Sequence, residues 1–120
     1  MRDYKKLEIW KIAVELNKLV YDISRGFPSG EKYGLTSQVR RASVSISSNI
    51  AEGCGRRTGK DFVQFLHTAM GSLKEVESQL VLARDLKYVS DSDFDKLNCM
   101  TISLGKKLLG FIKYVEDNVA

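Results

Sequence analysis

The sequence has few prolines, histidines, tryptophans and cysteines. Of its 120 residues, one is proline, one is histidine, one is tryptophan and two are cysteines. Cys54 and Cys99 are too few for a disulfide framework, so we expect two free thiols in a cytoplasmic protein. The single histidine, His67, has no companions at metal-ligand spacing, so we expect it on the surface and predict no metal site.

Long apolar runs are also missing. No run of residues approaches the roughly 20 apolar positions that a membrane-spanning helix requires. The charged residues 1–6 are not followed by the apolar segment of a signal peptide. Because 43% of the residues are hydrophobic and 28% are charged, the composition is that of a globular protein. We therefore predict a single domain over residues 1–120 that makes no membrane contact.

Motifs that carry chemistry are scarce. Residues 53–59 read Gly-Cys-Gly-Arg-Arg-Thr-Gly, which matches neither a P-loop nor a dinucleotide fingerprint. A glycine-rich turn before a helix can bind phosphate, but a plain helix connector is the favoured interpretation. Glu75 and Glu77 lie two apart, on different faces of a helix, and we expect both to be solvated. We predict no catalytic residue, no cofactor and no enzymatic activity.

Three clusters of helix-breaking residues divide the chain. They lie at residues 26–30, 53–59 and 88–91, and the first contains the only proline, Pro28. The segments between them predict helices at about 4–25, 31–54, 60–87 and 91–117. Four amphipathic helices with short connections favour an all-α fold, an antiparallel up-down four-helix bundle.

Each segment has an apolar stripe with three- and four-residue spacing. In chain order the predicted core residues are Ile9, Ile12, Leu16, Leu19 and Ile23; Leu35, Val39, Ala42, Ile46, Ile50 and Gly53; Phe62, Phe65, Ala69, Leu73, Val76, Leu80 and Ala83; and Phe94, Leu97, Leu104, Leu108, Phe111 and Val115. Residues 43–50 alternate Val or Ile with Ser and could form a strand, but nothing else in the chain offers a strand to pair with. The small residues of this segment instead allow close helix packing.

The first and fourth segments carry a second apolar face. Its residues are Trp10, Val14 and Tyr21 in the first, and Ile102, Leu109 and Ile112 in the fourth. This surplus apolar surface could widen the core or be buried against another copy of the chain, and we favour the second alternative.

Basic residues are concentrated between residues 39 and 60. The net charge is +4, and this interval holds one acid, Glu52, against five bases: Arg40, Arg41, Arg56, Arg57 and Lys60. Because a helix rises about 1.5 Å per residue, the two arginine pairs should form two patches roughly 20 Å apart. The patches could be ordinary solvated surface, with Arg56 paired to Glu52, or contacts to the phosphates of RNA or DNA.

Three motifs resemble a known family. They are residues 33–42 (Tyr-Gly-Leu-Thr-Ser-Gln-Val-Arg-Arg-Ala), 45–53 (Ser-Ile-Ser-Ser-Asn-Ile-Ala-Glu-Gly) and 71–80 (Gly-Ser-Leu-Lys-Glu-Val-Glu-Ser-Gln-Leu). They resemble the four-helix-bundle proteins encoded in intervening sequences of bacterial large-subunit ribosomal RNA genes, relatives of the accessory variability protein of diversity-generating retroelements. The resemblance covers nearly the whole chain.

The resemblance implies a ring-like homopentamer. It also implies two kinds of partner, since the retroelement relatives bind a reverse transcriptase and nucleic acid. Within its motifs, Arg41, Asn49 and Glu52 could form a structural polar network between helices or subunits, which we favour over direct ligand binding. We predict an oligomeric binding protein that contacts nucleic-acid phosphates, with a protein-interaction module as the alternative.

Overall fold

The computed structural model describes residues 2–118 and consists of helices. Within these residues there are four α-helices and no strands, which confirms the predicted all-helical fold. The helices are α1 (Glu8–Ser24), α2 (Leu35–Cys54), α3 (Gly59–Asp85) and α4 (Asp91–Asn118). Two short 3-10 turns, Tyr4–Lys6 and Ser29–Glu31, precede α1 and α2. None of the helices in residues 2–118 is long and apolar enough to cross a membrane.

The four helices pack as an antiparallel up-down bundle. Each helix contacts its neighbours in sequence, and α1 also contacts α4, which closes the bundle. The backbone N–H of Arg2 donates to the carbonyl oxygen of Cys54 at 3.3 Å, and the ring of Phe62 lies 5.8 Å from that of Phe111. The beginnings of α1 and α3 therefore lie at the same end of the bundle as the ends of α2 and α4.

Local hydrogen bonds fix where the helices begin. The Thr58 hydroxyl accepts from the N–H of Asp61 at 3.1 Å and caps α3. The carboxylate of Glu31 accepts from the N–H of Leu35 at 3.1 Å, at the first turn of α2. Its other oxygen accepts from the hydroxyl of Tyr88 at 2.9 Å. Glu31 thus starts α2 and ties the α1–α2 loop to the α3–α4 loop.

The predicted core is correct in α2, differs at one residue each in α3 and α4, and is rotated in α1. In α1 the buried residues include Ala13 and Val20, whereas the predicted Ile12 and Leu19 are only half-buried. Leu66 replaces Phe65 in α3, and Ile112 replaces Phe111 in α4. Hydrophobicity alone could not separate these adjacent stripes, because the residue that faces inward is chosen by how closely the neighbouring helix approaches.

Hydrogen bonds between α1 and α2 select the orientation of α1. The amide of Asn17 donates to the Ser47 hydroxyl at 2.9 Å and accepts from the Ser43 hydroxyl at 2.6 Å. Ser43 is fully buried, so its hydroxyl requires this partner. Turning α1 toward the predicted stripe would move Asn17 away from both serines.

The surplus apolar surface of α4 divides between core and solvent. Ile112 is buried in the core of its own chain. Ile102 and Leu109 remain 47% and 61% exposed, one heptad apart on the same side of α4. In α1, Trp10 and Val14 are half-buried and Tyr21 is exposed. An isolated chain therefore leaves large apolar side chains in water on both helices.

Candidate nucleic-acid interface

A close contact between the end of α2 and the beginning of α3 shapes the connector that carries the predicted arginines. Gly53 is buried, and a Cβ atom at this position would lie 2.8 Å from Cδ1 of Phe62 and 3.0 Å from Cβ of Phe65. Only glycine lets the two helices approach this closely. Because the helices nearly touch, four residues, 55–58, suffice to join them.

Arg56 and Arg57 lie on this connector and line a small cavity. Its volume is about 140 Å³. The cavity is lined by Arg2, Gly53, Cys54, Arg56, Arg57, Thr58, Gly59, Phe62 and Val115. Three arginines thus surround one opening beside the first turn of α3, where the helix dipole also favours an anion.

Arg56 is held from two sides. Its Nη2 lies 3.7 Å from Oε1 of Glu52, the ion pair that the four-residue spacing predicted, and its guanidinium carbon lies 4.5 Å from the centre of the Phe65 ring. Both members of the ion pair are well exposed, so the pair itself adds little stability. These contacts orient the guanidinium at the rim of the cavity.

Arg2 is a member of the site that the sequence did not indicate. Its backbone hydrogen bond to Cys54 places it at the end of α2. Its guanidinium carbon lies 5.6 Å and 5.7 Å from the ring centres of Phe111 and Tyr114. Nothing in its local sequence signals this position, since it depends on how residues 2–7 lie across the end of the bundle.

The thiol of Cys54, which lines this cavity, is buried and unreactive. Burial raises the pKa of the Cys54 thiol above its ordinary value, and the nearby Arg2 only partly opposes this rise. The thiol therefore stays protonated at neutral pH and is a poor nucleophile. The chemistry that the cavity offers is hydrogen bonding and positive charge from its arginines.

The remaining predicted bases lie elsewhere. Lys60 is exposed on the first turn of α3 and does not line the cavity. Arg40 donates to the Ser24 hydroxyl at 2.8 Å and to the Tyr21 carbonyl at 3.3 Å, so it joins α1 to α2. Its guanidinium carbon also lies 4.7 Å from the centre of the Tyr21 ring. The donors of Arg40 are thus partly occupied within the protein.

Arg41 lies in a separate polar groove between α2 and α3. The groove has a volume of about 310 Å³. It is lined by Gln38, Arg41, Ala42, Ser45, Ser72, Glu75 and Gln79. Glu75 is solvated here, as expected, whereas Glu77 lies on another side of α3, pairs with Lys74 and is only 26% exposed in its side chain.

The residues of the predicted polar network make different contacts. Asn49 donates to the carbonyl and hydroxyl oxygens of Ser45, at 2.8 Å and 3.0 Å. Glu52 pairs with Arg56, and Arg41 lines the groove. Within residues 2–118, no hydrogen bond joins Arg41, Asn49 and Glu52 to one another. The interhelical hydrogen bonds instead run through Ser43, Ser45 and Ser47 of α2. The four-residue spacing of Ser43 and Ser47 could have indicated the contact with α1.

The other residues with chemical potential are dispersed. Both cysteines are free thiols, with Cys54 buried and Cys99 exposed, and His67 is exposed on α3. Residues 2–118 contain no group of three or more histidine, cysteine or acidic side chains placed to hold a metal ion.

Comparison with a solved structure identifies the fold. The chain resembles a crystal structure of a protein with unknown function from the S23 ribosomal protein family of Bacteroides thetaiotaomicron. The TM-score is 0.81 at 21% sequence identity, over 88% of this chain and 98% of that one. At this identity the likeness supports the bundle fold alone.

Comparison of sequences identifies the family. No curated protein matches this chain at a significant level. Residues 5–110 match the family described as 23S rRNA-intervening sequence protein, and this match spans all of α1 to α3 and most of α4. The chain belongs to the 23S rRNA-intervening sequence protein family.

Proposed function

We propose that this protein is a non-enzymatic, oligomeric nucleic-acid-binding protein that contacts phosphates through its connector arginines. The observation that carries the proposal is the convergence of Arg2, Arg56 and Arg57 on one small cavity. Guanidinium groups present planar pairs of donors that match the oxygens of a phosphate. No base-recognition motif accompanies them, so the contacts at this site are to the backbone.

Assembly into a ring-like homopentamer would multiply this surface. The exposed Ile102 and Leu109 support burial of α4 against another copy, and the family resemblance supports five copies. A closed ring presents each arginine cavity five times around its axis, and repetition raises the local positive potential. The free thiols of Cys54 and Cys99 support a cytoplasmic location.

The experiment is an RNA titration with a charge-reversed connector. Fluorescent structured RNA is titrated with nuclease-treated protein of mass known from light scattering, at several salt concentrations. We expect binding that weakens steeply with salt, because binding releases counterions from the phosphates. In the variant carrying Arg56→Glu and Arg57→Glu, affinity should fall, and the salt slope should decrease by roughly 0.7–0.9 for each phosphate that the protein no longer neutralises.

A matched control separates local contact from net charge. Lys18→Glu with Arg25→Glu makes the same change of charge on α1 and at the residue that follows it, where both side chains are exposed and pair only with acids three residues earlier. This control should retain most of the affinity. Affinity that does not depend on salt, or an equal decrease in both variants, would contradict phosphate contact at the connector. Competition with single- and double-stranded DNA then determines which nucleic acid is preferred.

A second candidate function is a protein-interaction module, such as a partner of a reverse transcriptase. It is favoured by a mostly apolar groove between α1 and α4, of about 610 Å³, which contains Ile12, Cys99 and Met100. Capture of one protein by the nuclease-treated chain, abolished by Met100→Glu, would support it. If nuclease added to the captured complex releases the protein, the association is mediated by nucleic acid instead.

A further inference from the structure

The groove between α2 and α3 has an arginine on one wall and a glutamate on the other. The Ser72 hydroxyl donates to the Ser45 hydroxyl at 2.9 Å and joins the two helices at the groove. Because the helices are antiparallel, residues one turn before Ser45 lie opposite residues one turn after Ser72. This register sets Arg41 of α2 across the groove from Glu75 of α3.

The next turn continues the two walls. Gln38 precedes Arg41 by three residues, and Gln79 follows Glu75 by four, so each pair shares one helix face. The same register sets Gln38 opposite Gln79, and both line the groove. The floor between the walls consists of the small residues Ala42, Ser45 and Ser72. The result is an open slot bordered by four polar side chains.

The four polar side chains that border this slot form no hydrogen bond or ion pair with one another. No nitrogen of Arg41 lies within 4.0 Å of a carboxylate oxygen among residues 2–118, so Arg41 and Glu75 face each other without forming an ion pair. The Oε1 atom of Gln79 is buried and has no hydrogen-bond donor. A buried acceptor without a partner costs free energy, and amide rotation would leave the amide nitrogen in the same position.

We propose that this slot binds a single unpaired guanine base between Arg41 and Glu75. Guanine carries the matching pair of edges: O6 and N7 accept two hydrogen bonds from one arginine, while N1–H and the N2 amino group donate to a carboxylate. Adenine and uracil lack a donor pair for Glu75, and cytosine offers it only one amino group. The base would enter from a single-stranded loop or end, where its edges are free.

The dimensions of the slot agree with such a ligand. Its volume of about 310 Å³ lies near the lower limit of roughly 300–1,000 Å³ that is usual for small-molecule sites. The slot is open to solvent, which suits a base attached to a strand. The amide of Gln38 provides a further donor beside Arg41, and that of Gln79 a further hydrogen-bonding group beside Glu75. This site is separate from the arginine cavity of the proposed function, because Arg41 lies about 20 Å along α2 from Cys54, after which the connector with Arg56 begins.

Nucleosides without phosphate test the slot independently of the connector. Guanosine, inosine, adenosine, cytidine and uridine are each titrated into ¹⁵N-labelled protein, and the side-chain amide signals of Gln38 and Gln79 are followed. We expect guanosine to shift both signals with a dissociation constant on the order of 1 mM. Inosine, which lacks the N2 amino group, should bind several-fold more weakly, and the other three nucleosides should leave the signals unchanged.

Two variants and one matched control locate the contact. Glu75→Gln should abolish the preference for guanosine, whereas Glu77→Gln removes the same charge two residues away, in the α3–α4 groove, and should preserve it. Arg41→Gln should weaken guanosine binding as well. Equal shifts with all nucleosides, no shift with guanosine, or a guanosine response that survives Glu75→Gln would overturn the proposal.

RNA binding then distinguishes this inference from the proposed function. Wild-type protein should bind short uridine-rich strands with one central guanine about ten-fold more tightly than the same strands with adenine at that position. Glu75→Gln should remove this preference and keep salt-sensitive binding. Reversal of the charges at Arg56 and Arg57 should weaken binding to both strands and leave the affinity for guanosine unchanged. If RNA does not bind at all, the nucleoside titration still tests whether the slot binds guanine.

Discussion

Replacing Gly53 with alanine should disturb the contact that shapes the arginine connector. The new methyl group would lie 2.8 Å from a ring carbon of Phe62 and 3.0 Å from Cβ of Phe65. The ring can turn, but the Cβ of Phe65 belongs to the frame of α3, so the helices must separate. Overpacking of this kind costs about 1–3 kcal/mol. Alanine also recovers about 1 kcal/mol of helix propensity relative to glycine, so the net destabilisation should be about 0–2 kcal/mol.

Gly71→Ala is the control that isolates the steric cost. Gly71 also lies within a helix, and a Cβ there meets no atom within 4 Å, so only the propensity gain remains and stability should rise by about 0.5–1 kcal/mol. Denaturant unfolding followed by circular dichroism, at one protein concentration since assembly affects stability, should separate the two variants by about 1–3 kcal/mol. Equal stability of the two variants would refute the argument that Gly53 is required by close packing. In the RNA titration, Gly53→Ala should also weaken binding, because it moves the connector.

Three further perturbations test other parts of the structure. The hydrogen bond to Glu31 raises the pKa of Tyr88. This contact therefore contributes stability below about pH 10, and the stability is lost as the pH rises through the folded-state pKa of Tyr88. Absorbance at 295 nm should show one late-titrating tyrosine, which should be absent in Tyr88→Phe. Asn17→Ala should lower the free energy of unfolding by about 1–3 kcal/mol, since it leaves the buried Ser43 hydroxyl without a partner, and an unchanged denaturation midpoint would contradict that network. Ile102→Ser with Leu109→Ser should lower the mass measured by light scattering if α4 is buried between copies, and an unchanged mass would place the interface elsewhere.

The arrangement of the helices follows largely from local sequence. The break around Pro28, the glycine-rich residues 53–59 and the serine and acids near residue 90 set the ends of the helices through backbone restriction and capping. The apolar spacing of α2 also identified its core correctly, because that helix has one thin stripe and no competing face. These are local interactions, and a single sequence contains them in full.

Tertiary packing decided what periodicity left ambiguous. α1 and α4 each carry adjacent apolar stripes, and the choice between them followed from interhelical hydrogen bonds such as those of Asn17 and from the depth at which small residues let helices meet. The candidate sites show the same division. Spacing within one segment identified Arg56, Arg57 and the pairing of Arg56 with Glu52. The placement of Arg2 at the cavity and of Glu75 opposite Arg41 depends on contacts between distant segments, which only the antiparallel register of the folded bundle defines.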